Sequence, residues 1–484
     1  MARWTLAGGA GAPTLDPAEA TDPSSIQVCG LLYQTLVRLN SRMRVAPAAA
    51  VRWSIRDHGL RYDFFLRRGL RFANGRSVTA GDVAGSLVRA IRLGAAGKGI
   101  MAAELSEIAQ QNGRPEVGPV GPTQIQIQLS RPSPAFLAKL TLAGASIVDM
   151  KQIQRYPSVW TNAPNGSGPF RLSSISNRGT LVLMPNRTFR PAPRHIRIIV
   201  DELATGKAVQ AFATRHSDVV TGLSPTLAIL HRFRSSLRSS PGLDLTYVLL
   251  NTGRGALAGE DVRRALALAV DRTALVRSTF GPTQLPEASV VPARLLPGVS
   301  PQPVDPTTAL AALRVAGHPF GRGLPRLQLV FPRNRLQARL AHLLTSVWLR
   351  ILGVRVVAHG LGTTTYATDV RSGRFDLAMV QWGAQYPDAT DYLEDQLVTS
   401  APDNLSGWSN RHFDTLLRLS DQQYVDSPIR HELLVGAADI ANRQAPWIPI
   451  SSPIQIALIR RTVMHLTMAP TGISGWDRIA LRVR

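Results

Sequence analysis

The residue types that do chemistry are thinly spread along this chain. Its ten histidines come no closer than fifteen positions apart, at His216 and His231, and His431-Glu432 is followed by Val435 where a zinc-binding helix needs a second histidine. Metal-assisted hydrolysis therefore has no ligand set in the sequence. Gly97-Lys98 is preceded by Arg92 where a phosphate loop needs glycine, it is followed by Gly99, and no Gly-x-Ser-x-Gly elbow occurs. Gly166-Ser167-Gly168 reads as a backbone turn. These patterns point away from an enzyme and give no reason to expect a metal or cofactor. Cys29 is the single cysteine and lies in the apolar run Val28 to Leu32, so it reads as a small core residue with no disulfide partner.

The elements that would position any site belong to a large globular protein. At roughly 150 residues per domain, 484 residues suggest about three domains. Hydrophobic residues make up 44% and charged residues 18%, and no run approaches the ~18 apolar residues of a membrane span. Lys+Arg 55 against Asp+Glu 32 leaves a formal charge of +23, nearly all of it arginine, since the only lysines are Lys98, Lys139, Lys151 and Lys207. Such a field attracts any polyanion. The arginines nevertheless fall singly or in pairs (Arg67 and Arg68, Arg263 and Arg264, Arg460 and Arg461) and aromatics are only 6%, so neither a basic stripe nor a stacking platform forms. Nucleic acid is not the expected partner, and a basic polyanion-binding surface protein is the rival reading from another class. The N-terminus, Met1-Ala-Arg-Trp-Thr-Leu, lacks the apolar core of a secretory signal.

Patterning places strands and helices in alternation. A helix is expected over Ile26 to Leu39, a β-hairpin over Val45 to Leu70 turning at Asp57-His58-Gly59, and a helix capped by Thr79 and running to Leu93. Gln124 to Leu129 alternates as a one-face-buried strand, and Asn165 to Pro169 marks a chain reversal. Strands follow at Gly179 to Pro185, Ile196 to Val200 and Tyr247 to Asn251, then a helix over Asp261 to Val276 and a long loop from Pro282 to Pro306. The remainder alternates strand and helix: Leu327 to Phe331, Leu336 to Leu352, Val354 to Ala358 and Asp376 to Gln381. The fold class is α/β.

Several collinear segments carry a resemblance. Leu32-Tyr33-Gln34-Thr35-Leu36-Val37, the block Tyr62 to Gly75 with Thr79-Ala80-Gly81-Asp82-Val83, and Gly166-Ser167-Gly168-Pro169-Phe170 come first. Leu250-Asn251-Thr252, Asp261-Val262-Arg263-Arg264-Ala265-Leu266, Trp382-Gly383-Ala384-Gln385-Tyr386-Pro387-Asp388, Gly407-Trp408-Ser409-Asn410 and Ala445-Pro446-Trp447-Ile448-Pro449 follow in order. Together they resemble the family 5 extracellular solute-binding proteins, the peptide and nickel group that feeds ABC importers. Within the set, Trp53, Phe64 and Phe72 also read simply as core, and Pro446-Trp447 as a packed turn.

The resemblance implies a two-lobed, periplasmic-binding-protein-like fold with an extra third domain on the first lobe. Lobe I would comprise residues 1–45, 164–250 and 465–484, the extra domain 46–163 and lobe II 251–464, with crossings near Leu250-Asn251 and in the 460s. It further implies hinge closure on a ligand, an extracytoplasmic location, a lipid anchor after a removed leader, permease subunits as partners and a monomeric state. In peptide-binding members the ligand pairs by its main chain with strands of both lobes. The matching positions are Gln34, Thr35, Leu36, Thr221 and Gly222 on the first lobe, and Gln381, Trp382 and Gly383 on the second. Trp382 has a lobe-core reading beside the ligand-facing one. The family's "Trp-x-Ala-Asp-Tyr" supplies an aspartate to the ligand's α-ammonium, and here that position is Gln385, which has no charge to offer. Asp388 is the nearby carboxylate. By the resemblance the leading expectation is capture of peptides for delivery to the permease, with an N-blocked peptide, another organic solute or an anionic ligand as the rival unless Asp388 or another carboxylate reaches the ligand.

Overall fold

The computed structural model describes residues 1–8, 13–191, 193 and 196–482. The chain divides into two units, Met1–Ser240 with Gln455–Arg484, and Pro241–Ile454.

In the first unit the strand Ala2–Ala7 is the centre of a mixed sheet. It runs parallel to Ile198–Leu203, with Trp4 opposite Val200, and parallel to Val219–Leu223, with Trp4 opposite Val219. Trp4, Leu6, Val200 and Val219 are all but fully buried, as strands covered on both faces require. The adjoining antiparallel strands Leu181–Pro185 and Phe170–Ile175 extend one side, and Ile459 pairs with Val219 on the other. A separate four-stranded antiparallel sheet orders Ala50–Arg56, Arg61–Leu66, Gln124–Gln128 and Val117–Gly121. The expected alternation is borne out there: Ile125 and Ile127 are fully buried, while Gln124, Gln126 and Gln128 are half-buried.

The hairpin turn at Asp57-His58-Gly59 carries positive φ at all three residues. Helix Ala80–Ala95 opens on a capping box in which Thr79 accepts from Asp82 N and Asp82 returns a bond to Thr79 N. Its buried face joins Phe64, Phe72 and Phe136 in a core of its own, with Trp53 partly buried against it.

The second unit is built on one sheet with a core on each face. Leu245–Leu250, buried at every position, lies between Leu377–Trp382 and the first part of the strand Trp447–Ile459. Leu327–Pro332 and Val356–Leu361 continue the sheet in parallel. One core gathers Val248, Leu329, Trp348 and Ile450, and the other Tyr247, Phe375, Tyr392 and Trp447. Helix Arg335–Leu352 illustrates how local sequence delimits an element: Asn334 accepts from Gln337 N at the start, and Gly353 adopts φ 69 at the end.

Three expectations are corrected. The helix expected over Ile26 to Leu39 ends at Leu32, and Val37–Leu39 is a strand paired with Val45–Pro47. Tyr33 turns extended (φ −126, ψ 161), with its hydroxyl donating to Leu15 O at 2.7 Å and the preceding Leu32 carbonyl accepting from Gly168 N at 2.8 Å. The helix expected over Asp261 to Val276 is two, Glu260–Leu268 and Arg272–Thr279, because Asp271 caps the second by accepting from Ala274 N at 2.9 Å. The Pro282 to Pro306 loop contains a short strand, Gln284–Pro286, paired to Ser451–Pro453.

Candidate functional site

On the second unit the candidate residues cluster where the strand Leu377–Trp382 leaves the sheet. Leu377, Ala378 and Met379 are buried, so the strand begins inside the core, and the next residues surface with Gln381, Gly383 and Gln385 exposed. One edge is fully paired, from Leu250 opposite Leu377 to Leu245 opposite Trp382. On the other edge the parallel pairing to Leu327–Pro332 stops at Val330 opposite Ala378. Among the described residues no strand pairs with Val380–Trp382 on that side. The neighbouring Met379 carbonyl is capped by the Tyr366 hydroxyl at 2.7 Å.

The loop beyond the strand is held from beneath by Asp391. This fully buried carboxylate accepts the Trp382 indole N–H on Oδ2 at 2.9 Å and the Gln385 backbone N–H on Oδ1 at 3.1 Å. Trp382 is thus half-buried, edge-tied and packed against the core of this unit. The Gln385 side chain donates to Gly383 O at 3.2 Å from an exposed position. Tyr386 turns inward, and burial pushes its phenol well up, with nearby carboxylates adding to the effect.

Asp388 faces a different set of partners. Its Oδ1 accepts from Thr390 N at 3.1 Å, Thr390 Oγ1 at 3.0 Å and Arg430 Nη2 at 2.8 Å. Burial alone would raise its carboxyl, but the Arg430 guanidinium and the Thr390 donors outweigh that and hold it below the usual range. A second carboxylate lies beside the strand end: Asp244 Oδ1 is 3.5 Å from where a Gly383 Cβ would be, and burial raises its carboxyl.

On the first unit, the segment after helix Pro23–Leu32 is pinned to the glycine motif. Gln34 N donates to Ser167 Oγ at 3.2 Å and Gln34 Nε2 to Ser167 O at 2.6 Å. The reason for Gly166-Ser167-Gly168 is close backbone approach: a Cβ at Gly166 would overlap Leu32 O, and one at Gly168 would lie 2.5 Å from Leu31 O. The carbonyls of Gln34, Thr35 and Leu36 accept from Ile147, Ala49 and Ala50 respectively, and the Leu36 side chain is buried. Thr35 Oγ1 donates to Val37 O. At the end of Val219–Leu223, Thr221 Oγ1 accepts the Trp4 indole N–H at 3.0 Å, and the exposed Gly222 has φ 72 with no room for a Cβ against Ala7 O. A cavity of about 520 Å³ elsewhere on this unit is lined by Arg76, Lys151, Arg155, Tyr156 and Arg171 and includes none of these candidates. Burial pushes the Cys29 thiol up, in keeping with a core residue.

Asp244 and Asp391 are not singled out by the sequence, and Ser167 is read there only as part of a turn. Asp244 could have been found as the polar residue immediately ahead of a six-residue buried strand. Asp391 gave no signal, because its partners are fixed by the fold of the loop.

With this geometry in place, the comparisons with known proteins decide the family. Residues 44–403 match the model described as "Bacterial extracellular solute-binding proteins, family 5 Middle". The chain belongs to that family. Members are substrate-binding proteins, not enzymes, and the chain is an extracytoplasmic solute-binding protein. It is 28% identical over 473 residues to a probable deoxycholate-binding periplasmic protein, YgiS, of Escherichia coli K12, covering 92% of this chain and 87% of that one. It is 25% identical to the glutathione-binding protein GsiB of the same strain over 472 residues (92% and 88%), and 25% identical to its periplasmic murein peptide-binding protein MppA over 462 residues (90% and 85%). Among solved structures, HbpA2 from Haemophilus parasuis superposes with a TM-score of 0.88 at 22% identity, with 100% of each chain covered. The fold is therefore α/β of the two-lobed periplasmic-binding-protein type. Among the described residues no helix is long and apolar enough to cross a membrane.

Proposed function

We propose that this family 5 protein captures a peptide, or an organic solute of similar size, and delivers it to the permease subunits of an ABC importer. The observation that carries the peptide reading is the open strand edge at Val380–Trp382. Among the described residues no strand pairs with this edge, which lies next to the exposed Gln381, Gly383 and Gln385. An extended peptide can add to such an edge by main-chain hydrogen bonds, a mode nearly blind to side chains. The relatives named for murein peptide and glutathione support this class. A relative named for deoxycholate favours keeping a non-peptide solute as the second reading.

In this proposal Gln381, Trp382, Gly383 and Gln385 contact the solute on the second unit. Gln34, Thr35, Leu36, Thr221 and Gly222 are proposed as contacts on the first. Asp388 is given no role in it, since Arg430 and Thr390 already engage its Oδ1 and Arg430 balances its charge. Hinge closure, a lipid anchor and a monomeric state are parts of the same proposal carried from the resemblance. Native mass spectrometry of the protein as purified, followed by mild dissociation of what it carries, tests the solute class. A retained peptide or small organic molecule is the expected result. A protein that carries no solute and binds none from peptide or bile-acid libraries would overturn the proposal.

A further inference from the structure

We propose that Asp244 receives the cationic group of the captured solute, taking over at a different strand the role that the amide of Gln385 cannot perform; this rests on the solute-capture reading above.

The placement follows from register. Leu245 is opposite Trp382 in the antiparallel pair, so one further step along each chain sets Asp244 opposite Gly383. Gly383 is exposed and carries no side chain, and Asp244 Oδ1 stands 3.5 Å from the point its Cβ would occupy. Gln381, two residues back and on the same face as Gly383, is a neutral amide that brings no counter-charge to this carboxylate. The carboxylate thus stands beside a strand end where side-chain bulk is missing.

The charge balance is what asks for a ligand. Several carboxylates of this unit that leave the surface are matched by arginine, Glu287 by Arg294 at 2.6 Å, Asp388 by Arg430 at 2.8 Å and Asp376 by Arg254 at 3.4 Å, while the buried Asp391 is held by the Trp382 indole and Gln385 backbone N–H groups. Among the described residues no arginine, lysine or histidine pairs with Asp244, in a chain carrying 55 Lys+Arg. Burial therefore raises its carboxyl. A desolvated carboxylate without a counter-charge is costly, and a solute ammonium or guanidinium arriving at Gly383 supplies that charge. A charge-assisted hydrogen bond of this kind changes affinity by roughly ten- to a hundredfold. The class of solute selected carries a primary amine or guanidinium, such as the free amino terminus of a peptide.

The test is calorimetric titration of trialanine and N-acetyl-trialanine into the unmutated protein, Asp244→Asn and Gly383→Val. Asp244→Asn keeps the shape and removes only the charge. Gly383→Val, at a residue of ordinary φ, covers the carboxylate without removing it. The expected result is at least about tenfold tighter binding of the free amine by the unmutated protein, reduced to within about twofold in both variants. Equal binding of the two peptides by the unmutated protein, or a preference that survives Asp244→Asn, overturns the role of Asp244 while leaving peptide capture standing. If neither peptide binds, trialanine is not a solute of this protein and peptide capture rests on the library screen. Asp244 is then decided by thermal shift with putrescine and agmatine against the neutral butanediol. A rise in melting temperature with the amines that Asp244→Asn abolishes supports the proposal, and no amine-specific rise overturns it.

Discussion

Asp388 and Arg430 form a nearly buried ion pair, Oδ1 to Nη2 2.8 Å, with side chains 11% and 6% exposed. It ties the loop after the strand Leu377–Trp382 to helix Pro428–Gln444 through the carboxylate that sequence alone offered to a solute.

Removing one partner of such a pair strands the other charge, so Asp388→Ala is expected to cost about 3–5 kcal/mol of stability. The Asp388 carboxyl is depressed in the folded protein. Its contribution is therefore fully present above the ordinary unfolded carboxyl range and is lost as pH falls through the lowered folded value. Urea denaturation from neutral pH into acid checks both points: the variant starts less stable and shows a flatter acid limb.

Asp244→Asn is expected to have the opposite effect on the solute-free protein. A carboxyl raised by folding weakens the folded state at pH values above its folded value, and that penalty disappears below the unfolded one. The variant should therefore be more stable than the unmutated protein at neutral pH, with the gain fading as pH is lowered. Equal or lower stability at neutral pH would show that Asp244 is already compensated without a solute.

Asp391→Ala leaves the Trp382 indole N–H and the Gln385 backbone N–H without their acceptor. The cost is expected to be about 1–3 kcal/mol per group left buried and unsatisfied. Trialanine binding should weaken together with stability, because the exposed positions 381–385 lose their support. Trp382→Phe removes one of the two donors and should show a smaller loss by the same denaturation assay.

Gly222→Ala introduces a Cβ at φ 72 that overlaps Ala7 O. A left-handed residue with such a clash costs on the order of 1–3 kcal/mol, here by pushing Val219–Leu223 away from Ala2–Ala7. Gly383→Ala, where the nearest atom is 3.5 Å away and φ is ordinary, should be nearly neutral in the solute-free protein. Paired denaturation curves distinguish the two glycines.

The α/β class, the capped helix after Thr79, the Gln124 strand and the collinear motifs were legible because each is written in adjacent residues: a cap, an alternation, a turn. The Ile26 to Leu39 helix was misjudged because its end at Leu32 goes with bonds made far along the chain, Tyr33 to Leu15 O and Gly168 N to Leu32 O. The split at residues 269–271 was missed because the apolar spacing continues through Ala269 and Val270, while Asp271 caps a new helix. At the site, the Gln385 departure could be read directly. Which carboxylate stands near the strand end could not, since Asp244 meets Gly383 through strand register and Asp388 is claimed by an arginine 42 positions away.

Solute capture itself is tested most directly by a thermal-shift screen of peptide and small-solute libraries at physiological salt, with a DNA arm run at low and high salt. A solute that binds only the folded state raises its stability by about 2.7 kcal/mol at a hundredfold excess over Kd, so a hit is readily seen. The expected result is a clear rise in melting temperature with at least one organic solute, and DNA binding, if any, that fades steeply with salt. No shift with any solute, together with DNA binding that persists at high salt, would contradict solute capture and favour a polyanion-binding role for the +23 surface.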